Sequence, residues 1–363
     1  MMERVSWKSC EVINAAGMLT EYGASSVAKD VASEVYWGVQ RCFDIEALQL
    51  HASRAISELT GSESGFVTGC SAAGVTIAAA ACLTGDDDVK VRCLPNCDWD
   101  VSGIVIPAGH MVDIGVKIEQ LVHLSGGRCI PVDCSSGFAE RQFRAALDSG
   151  QAAATLFVRS YLCTDDANLQ LDKIVSICAS YGVPVIVDDA GEFDFKRDID
   201  AGADLVVFSA QKAIGGLTAG LIAGRMDLIS ACKRQEHGIG RAMKVGKEGL
   251  ISALAAIEKN RFGARVLQHW YEKLDLLEKL LYAESCMTTL RIADEGGRPL
   301  ERLRVVVGPK KALGLLSSNV ASGVRKIIFR EVDFEAGSFL VDFSAMSVTD
   351  VMELAKRLIK APN

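Results

Sequence analysis

From about residue 45 to 235, short runs that are apolar throughout alternate with stretches whose apolar residues recur every three or four positions. The segment IEALQLHASRAISELTG puts Ile45, Leu48, Ala52, Ala55, Ile56 and Leu59 on one helical face and stops at Gly61. GFVT (65–68), VKVRCL (89–94), GIVIP (103–107), RCIPV (128–132), ATLFV (154–158), PVIVD (184–188) and DLVVFS (204–209) have the length and apolar content of strands. Helical stretches at 138–150 and 169–182 each close on a glycine, which suits a helix C-terminus. Strands without a polar face, joined by helical crossovers, predict a mainly parallel sheet covered on both sides.

The rhythm changes after about residue 245. A long amphipathic helix over 248–284 precedes a smaller α+β pattern. Its strands are TTLRIA, LRVVVG, KIIFR and SFLVDF, and its last helix carries a stripe of Val351, Leu354, Ala355, Leu358 and Ile359. No repeat, low-complexity tract or Pro/Gly linker interrupts the chain. The expected organisation is an N-terminal segment (1–44) packing with the small domain, a large domain (45–257) and a small C-terminal α+β domain (258–363).

One stretch, 66–85, carries no charge and has the length of a membrane span. It consists mostly of Ala, Gly, Ser and Thr, which gain little in lipid, and it reads instead as a strand end followed by a buried helix. The N-terminus shows neither the apolar core nor the cleavage pattern of a signal peptide, so a cytoplasmic location is expected. A net charge of -7 repels phosphate backbones and argues against nucleic acid as the main partner. Most of the 12 cysteines lie in apolar runs, as Cys82 and Cys178 do, where a free thiol behaves as a small hydrophobe. Cys93 and Cys97 lack a second pair at ligand spacing, so no metal site is expected and a reduced interior is.

Three segments carry candidate chemistry. In DLVVFSAQKAIGGLTAGLIAG (204–224) a buried strand ends at Ser209, and Lys212 lies in the turn before a second apolar strand. Burying an ammonium is costly, and a lysine so placed either reaches solvent from a loop or forms an imine. Gly215, Gly216 and Gly220 leave room for backbone to approach a flat ligand. In PVIVDDAGEFDF (184–195) the strand delivers Asp188 to the carboxyl edge of the sheet, where α/β proteins bind ligands. Asp189 competes for that role, and strand alternation aims only one of the two at the ligand. In VTGCSAAG (67–74) the helix start and the Ser71 hydroxyl suit a phosphate, although the pattern matches neither the P-loop nor GxGxxG. An ordinary capped helix would look the same.

Taken in order, these segments resemble the fold-type I pyridoxal-phosphate (PLP) enzymes, and specifically selenocysteine synthase (L-seryl-tRNA selenium transferase) and its shorter relatives, among them D-glucosaminate-6-phosphate ammonia-lyase. The resemblance spans about residues 11–257. It rests on VINAAGMLTEYG, ELTGSESGFVTGCSAAG, IPAGHMVDIG, GVPVIVDDAG, FSAQKAIGGLTAGLI and GRAMKVGKEGLISALAAIE (240–258).

It implies a Schiff base on Lys212 and an acid, Asp188, that keeps the pyridine nitrogen protonated. Gly69, Cys70, Ser71 and Ser209 would hold the phosphate, and His110 would lie against the ring. Arg159 would bind a substrate carboxylate or phosphate. A homodimer or larger even assembly is implied as well. The family's tRNA-dependent members carry a further N-terminal domain ahead of the SWKSCEVINAAG segment. With the acidic charge, this favours a small amino-acid substrate. The expected reaction is removal of the α-proton by Lys212 and loss of a β-hydroxyl, with release of ammonia and a 2-keto product. Racemisation, transamination, β-replacement and tRNA-dependent selenium transfer use related chemistry, and a PLP-binding regulator without catalysis is a further rival.

Overall fold

A computed structural model describes residues 6–164, 169–259, 263–283, 287–294, 298–318 and 325–360. The chain divides into two compact units, one covering Val27–Arg261 and the other joining the chain up to Ser26 with the stretch from residue 262 onward.

The larger unit is built on a sheet of strands β1 (Ser64–Thr68), β2 (Gly103–Pro107), β3 (Arg128–Val132), β4 (Ala152–Val158), β5 (Val185–Asp188), β6 (Leu205–Ser209) and β7 (Gly220–Gly224). Their spatial order is β1-β7-β6-β5-β4-β2-β3. The pairs from β6 to β3 are parallel, and β7 runs against both of its neighbours. The mainly parallel sheet expected from the pattern is the one observed. Successive residues of β6 serve opposite faces: Val206 and Phe208 join one apolar cluster, Leu205 and Val207 the other. Both faces are covered, so the strands carry no polar alternation.

The charge-free stretch 66–85 resolves into the end of β1 and the helix Ser71–Thr84, whose residues from Ala73 to Ala81 are all buried. Its small side chains let the helix axis lie close to the sheet. A Cβ on Gly74 would come within 2.7 Å of Val207 Cγ1. No described helix is long and apolar enough to cross a membrane. The helix Ile45–Thr60 starts on Asp44, which accepts from the Ala47 N–H, and ends on Gly61 in the left-handed region (φ 76°).

The segment 89–94, expected as a strand, is instead part of a helix, Asp88–Cys93. Asp87 caps it by accepting from the Val89 and Lys90 N–H groups, and only Val91 is buried. A capped turn satisfies donors that a solvated edge strand would leave open, so the cap outweighs the β-branched residues. The helix expected over 248–284 is described as two helices, Lys247–Lys259 and Gly263–Tyr282, and residues 260–262 lie outside the described set.

The smaller unit holds an antiparallel sheet of β8 (Thr288–Ala293), β9 (Glu301–Val306), β10 (Glu331–Asp333) and β11 (Ser338–Val341), in the order β10-β11-β9-β8. The strand Val12–Ala15 pairs in parallel with Lys326–Phe329 in the same unit. The helix Lys29–Val39 belongs to the sheet unit, where Lys259 lies 3.6 Å from Asp30 and the Lys247 ammonium donates to the Val39 carbonyl. In the last helix Val351, Leu354, Ala355 and Leu358 are buried, as the stripe predicted.

The tightest backbone passage is at Gly220. A Cβ there would collide with the Cys70 carbonyl and come within 2.6 Å of Thr68 Oγ1. Gly220→Ala is therefore expected to destabilise the protein by about 1–3 kcal/mol, because the turn after β1 must move. Chemical denaturation of the two proteins side by side measures this.

Candidate active site

The carboxyl edge of the sheet gathers the ends of β1, β5 and β6 and the start of β7. Register pairs Thr68 with Gly220 and Gly220 with Ser209, so the turn after β1 and the turn after β6 are neighbours. Asp188 lies opposite Val207 on the adjacent strand pair.

In the first turn, Cys70 is extended (φ −165°, ψ 171°) and caps the helix, its Sγ accepting from the Ala73 N–H at 3.4 Å. Thr68 Oγ1 donates to the Cys70 carbonyl at 2.9 Å. Gly69 differs in its use, since its N–H donates to the Met243 carbonyl at 2.9 Å and is not available to a ligand. A side chain at Gly69 would meet the Met243 and Lys244 carbonyls at 2.9 and 3.3 Å. The segment 240–247 is thereby latched to the turn by main chain. What remains for an anion is the helix start at Ser71 and Ala72 with the Ser71 hydroxyl.

Ser209 is buried at the end of β6. Beyond it the chain makes one turn, Ala210–Ile214, leaves helical geometry at Lys212 (φ −96°, ψ −108°) and closes on Gly215 in the left-handed region (φ 78°). Lys212 is half-buried, and its charge acts on Asp188.

Asp188 is 4 % exposed, and its Oδ1 has no hydrogen-bond partner. Burial pushes its carboxyl up to about 6, opposed by the Lys212 ammonium and by the Ala190 N–H. Asp189 points elsewhere. It is fully buried with Asp198, Arg197 and Glu192, so the alternation expected along the strand end does separate the two acids.

His110 follows β2 in a short turn and is 5 % exposed. Its Nδ1 accepts from the Val158 N–H at 3.1 Å, and its ring meets Phe157 edge-on at 4.5 Å. Burial, and then the Arg159 charge, lower its pKa to about 4. The ring is therefore neutral with its proton on Nε2.

Arg159 does not offer its whole fork to a substrate. Nε and Nη2 bind Asp198 at 2.7–2.9 Å, and Asp198 is almost fully buried. The Asp198 partnership was not among the expectations from the sequence. The signal that could have raised it is an arginine at a buried strand end, which needs a carboxylate.

A phosphate-bearing pyridine ring fits these residues. A helix start suited to an anion lies at one end, a lysine in the next turn, and a buried carboxyl with one oxygen lacking a donor feels the lysine's charge. An N–H cation is the group that such an oxygen accepts best. The fold and this edge together define a fold-type I PLP-dependent enzyme.

The comparisons with known proteins narrow this. A family model for SelA, L-seryl-tRNA selenium transferase, matches residues 104–283. The D-glucosaminate-6-phosphate ammonia lyase of Salmonella typhimurium is 33% identical over 357 residues, 96% of this chain and 94% of the relative. A Streptomyces protein, 5'-C-glycyluridine monooxygenase-decarboxylase, is 31% identical over 96% of this chain and 88% of its own. The solved structure of a D-glucosaminate-6-phosphate ammonia-lyase superposes with a TM-score of 0.85 at 30% identity, covering 97% of both chains. Aspartate aminotransferase from Thermus thermophilus shares the fold alone, with a TM-score of 0.53 at 13% identity over 98% of this chain and 93% of its own. The chain belongs to the selenocysteine synthase-like family of PLP enzymes that includes D-glucosaminate-6-phosphate ammonia-lyase.

The buried neutral His110 gives stability a definite pH dependence. The unfolded chain binds this proton near 6.5 and the folded chain only near 4, so between those values the unfolded state holds more protons. Stability from this group is complete above about 6.5 and lost as pH falls to about 4, a contribution of order 3 kcal/mol. The difference in melting temperature between wild type and His110→Gln should narrow across that window. A difference independent of pH would show that His110 stays charged.

Proposed function

We propose that the protein is a PLP-dependent lyase of the ammonia-lyase type, acting on a small amino-acid or amino-sugar-acid substrate. The observation that carries this reading is the buried Asp188 Oδ1, which has no donor, on a carboxyl that feels the Lys212 charge at the carboxyl edge. The likeness to the ammonia lyases over nearly the whole chain supports the reaction class.

When bound, PLP supplies an electron sink for the carbanion at the substrate α-carbon. Lys212 Nζ would hold the cofactor covalently, and its free amine would be the base that takes the α-proton. Asp188 keeps the proton on the pyridine nitrogen. Ser71, Ser209 and the Gly69-Cys70-Ser71 turn hold the phosphate, with Gly69 acting through its bond to Met243 rather than as a donor. His110 presents its neutral ring to the cofactor. Arg159 keeps Nη1, which binds no described residue, for an anionic group of the substrate. The same arrangement would let a β-hydroxyl leave as water, taking the proton that Lys212 removed, and water would then convert the released product to a 2-keto acid and ammonia.

The likeness to the Streptomyces protein covers the same span and makes oxidative decarboxylation the second reading. Ammonia release without oxygen consumption separates the two. Buried thiols in apolar surroundings, such as Cys178 and Cys232, support a reducing, cytoplasmic location. The exposed Tyr36 and Trp37 on the helix Lys29–Val39 support a pair of identical chains.

Borohydride treatment of the cofactor-loaded protein, followed by peptide mapping, should place a pyridoxyl mass on Lys212. Lys212→Ala should lose that adduct and at least about 1,000-fold in turnover. An adduct on another lysine would overturn the assignment. Asp188→Asn should still form the adduct on Lys212 but lose about 100-fold or more in ammonia release, since the ring nitrogen no longer keeps its proton. Assay of 2-keto acid from phosphorylated amino-sugar acids measures this.

A further inference from the structure

Next to the ring acid lies a second acidic group that the proposed reaction does not use. Asp189 is fully buried, and the Asp198 side chain is 1 % exposed. Two guanidinium groups and one further carboxylate face them. Arg159 commits Nε and Nη2 to Asp198. Arg197 reaches Asp198 at 3.3 Å, Glu192 at 3.3 Å and Asp189 at 3.4 Å, all long for charge-assisted bonds. Arg197 is thus divided among three carboxyl groups, two of which have no access to water. Ionised side by side, Asp189 and Asp198 would repel each other there, with only the long Arg197 contacts and the Arg159–Asp198 pair to offset it.

The hydrogen-bond pattern shows where this is resolved. Asp189 Oδ2 finds no donor, and the Arg197 guanidinium, 3.4 Å from Asp189 and 3.3 Å from Asp198, gathers the two buried carboxyl groups around one cation. Two carboxylates do not settle side by side in a buried site, whereas a carboxylic acid and a carboxylate do, through the acid's O–H. Asp198 must be the carboxylate, because three close contacts from Arg159 would otherwise lose their charged acceptor. Asp189 has only the long contact to Arg197.

We propose that Asp189 is held as a neutral carboxylic acid donating its proton to Asp198, and that this proton-sharing pair is a positioning unit which fixes Arg159 beside Asp188. The Arg159 N–H donates to the Asp188 carbonyl at 2.9 Å, so an anchored Arg159 also steadies the strand end that presents the ring acid. Burial, and next the charge of Asp198, push Asp189 up to about 9, while Arg197 acts the other way and Glu192 adds to the rise.

The sign of the pH effect follows. Between the ordinary carboxylate range and about 9 the folded chain binds the proton that the unfolded chain has lost, so this group's contribution to stability falls as pH rises through that window. Asparagine reproduces the neutral acid, with an N–H to donate and no proton to lose.

The test is infrared spectroscopy of the cofactor-loaded protein at neutral pH, with Asp189→Asn, Asp198→Asn and Asp188→Asn compared. A carboxylic-acid carbonyl band is expected in wild type and in Asp188→Asn, lost above about pH 9 and absent from Asp189→Asn. Asp189→Asn should melt at or above the wild-type temperature at neutral pH, and Asp198→Asn well below it. No such band in wild type, a band that survives in Asp189→Asn, or equal destabilisation by the two substitutions would overturn the proposal. The wild-type spectrum needs no variant to fold. The band also reads independently of the Lys212 adduct, so failure here and failure of the lyase reading are distinguishable.

Discussion

Gly220 stands between Thr68 on one side and Ser209 on the other, with the Cys70 backbone too close to admit a side chain. That contact joins the turn after β1 to the turn that carries Lys212, although the two turns are far apart in sequence. It depends on β7 running against its neighbours, since only an antiparallel strand begins at the edge where the parallel strands end. The anion site and the lysine are therefore parts of one edge, with β5 bringing Asp188 to the same level.

The charges at this edge are managed by burial and pairing rather than by solvent. Asp188 is left short of a donor, and His110 is stripped of its second proton. Arg159 is tied to Asp198, which in turn needs a neutral neighbour. Each group's state is set by the one beside it, from His110 on Phe157 through Arg159 to the acid pair. Buried networks of this kind tolerate isosteric change and punish the loss of a partner.

Much of this was legible in the chain itself because the sheet is buried on both faces. Runs such as Leu205–Ser209 and Val185–Asp188 need no partner to be recognised, and Ala73–Ala81 is too small-sided and too uncharged to be a surface helix. The segment 89–94 misled because Val89 and Val91 alternate as in a strand, while the deciding atom is the carboxylate of Asp87, the residue just before the helix. The engagement of the Gly69 N–H by the Met243 carbonyl is likewise something that no local pattern announces.

By itself the sequence determined most of the elements, the mainly parallel sheet and the order along the chain of glycine-bearing turn, strand-end acid and lysine. These follow from periodicity and from the cost of burying a charge, both of which act over a few residues. Only the tertiary structure decided which N–H groups remain for a ligand, that Arg159 is spent largely on Asp198, and that Asp188 and Asp189 face different surroundings. Those outcomes depend on which groups the fold brings together, as with Arg159 and Asp198, 39 residues apart, and on how little water reaches them there.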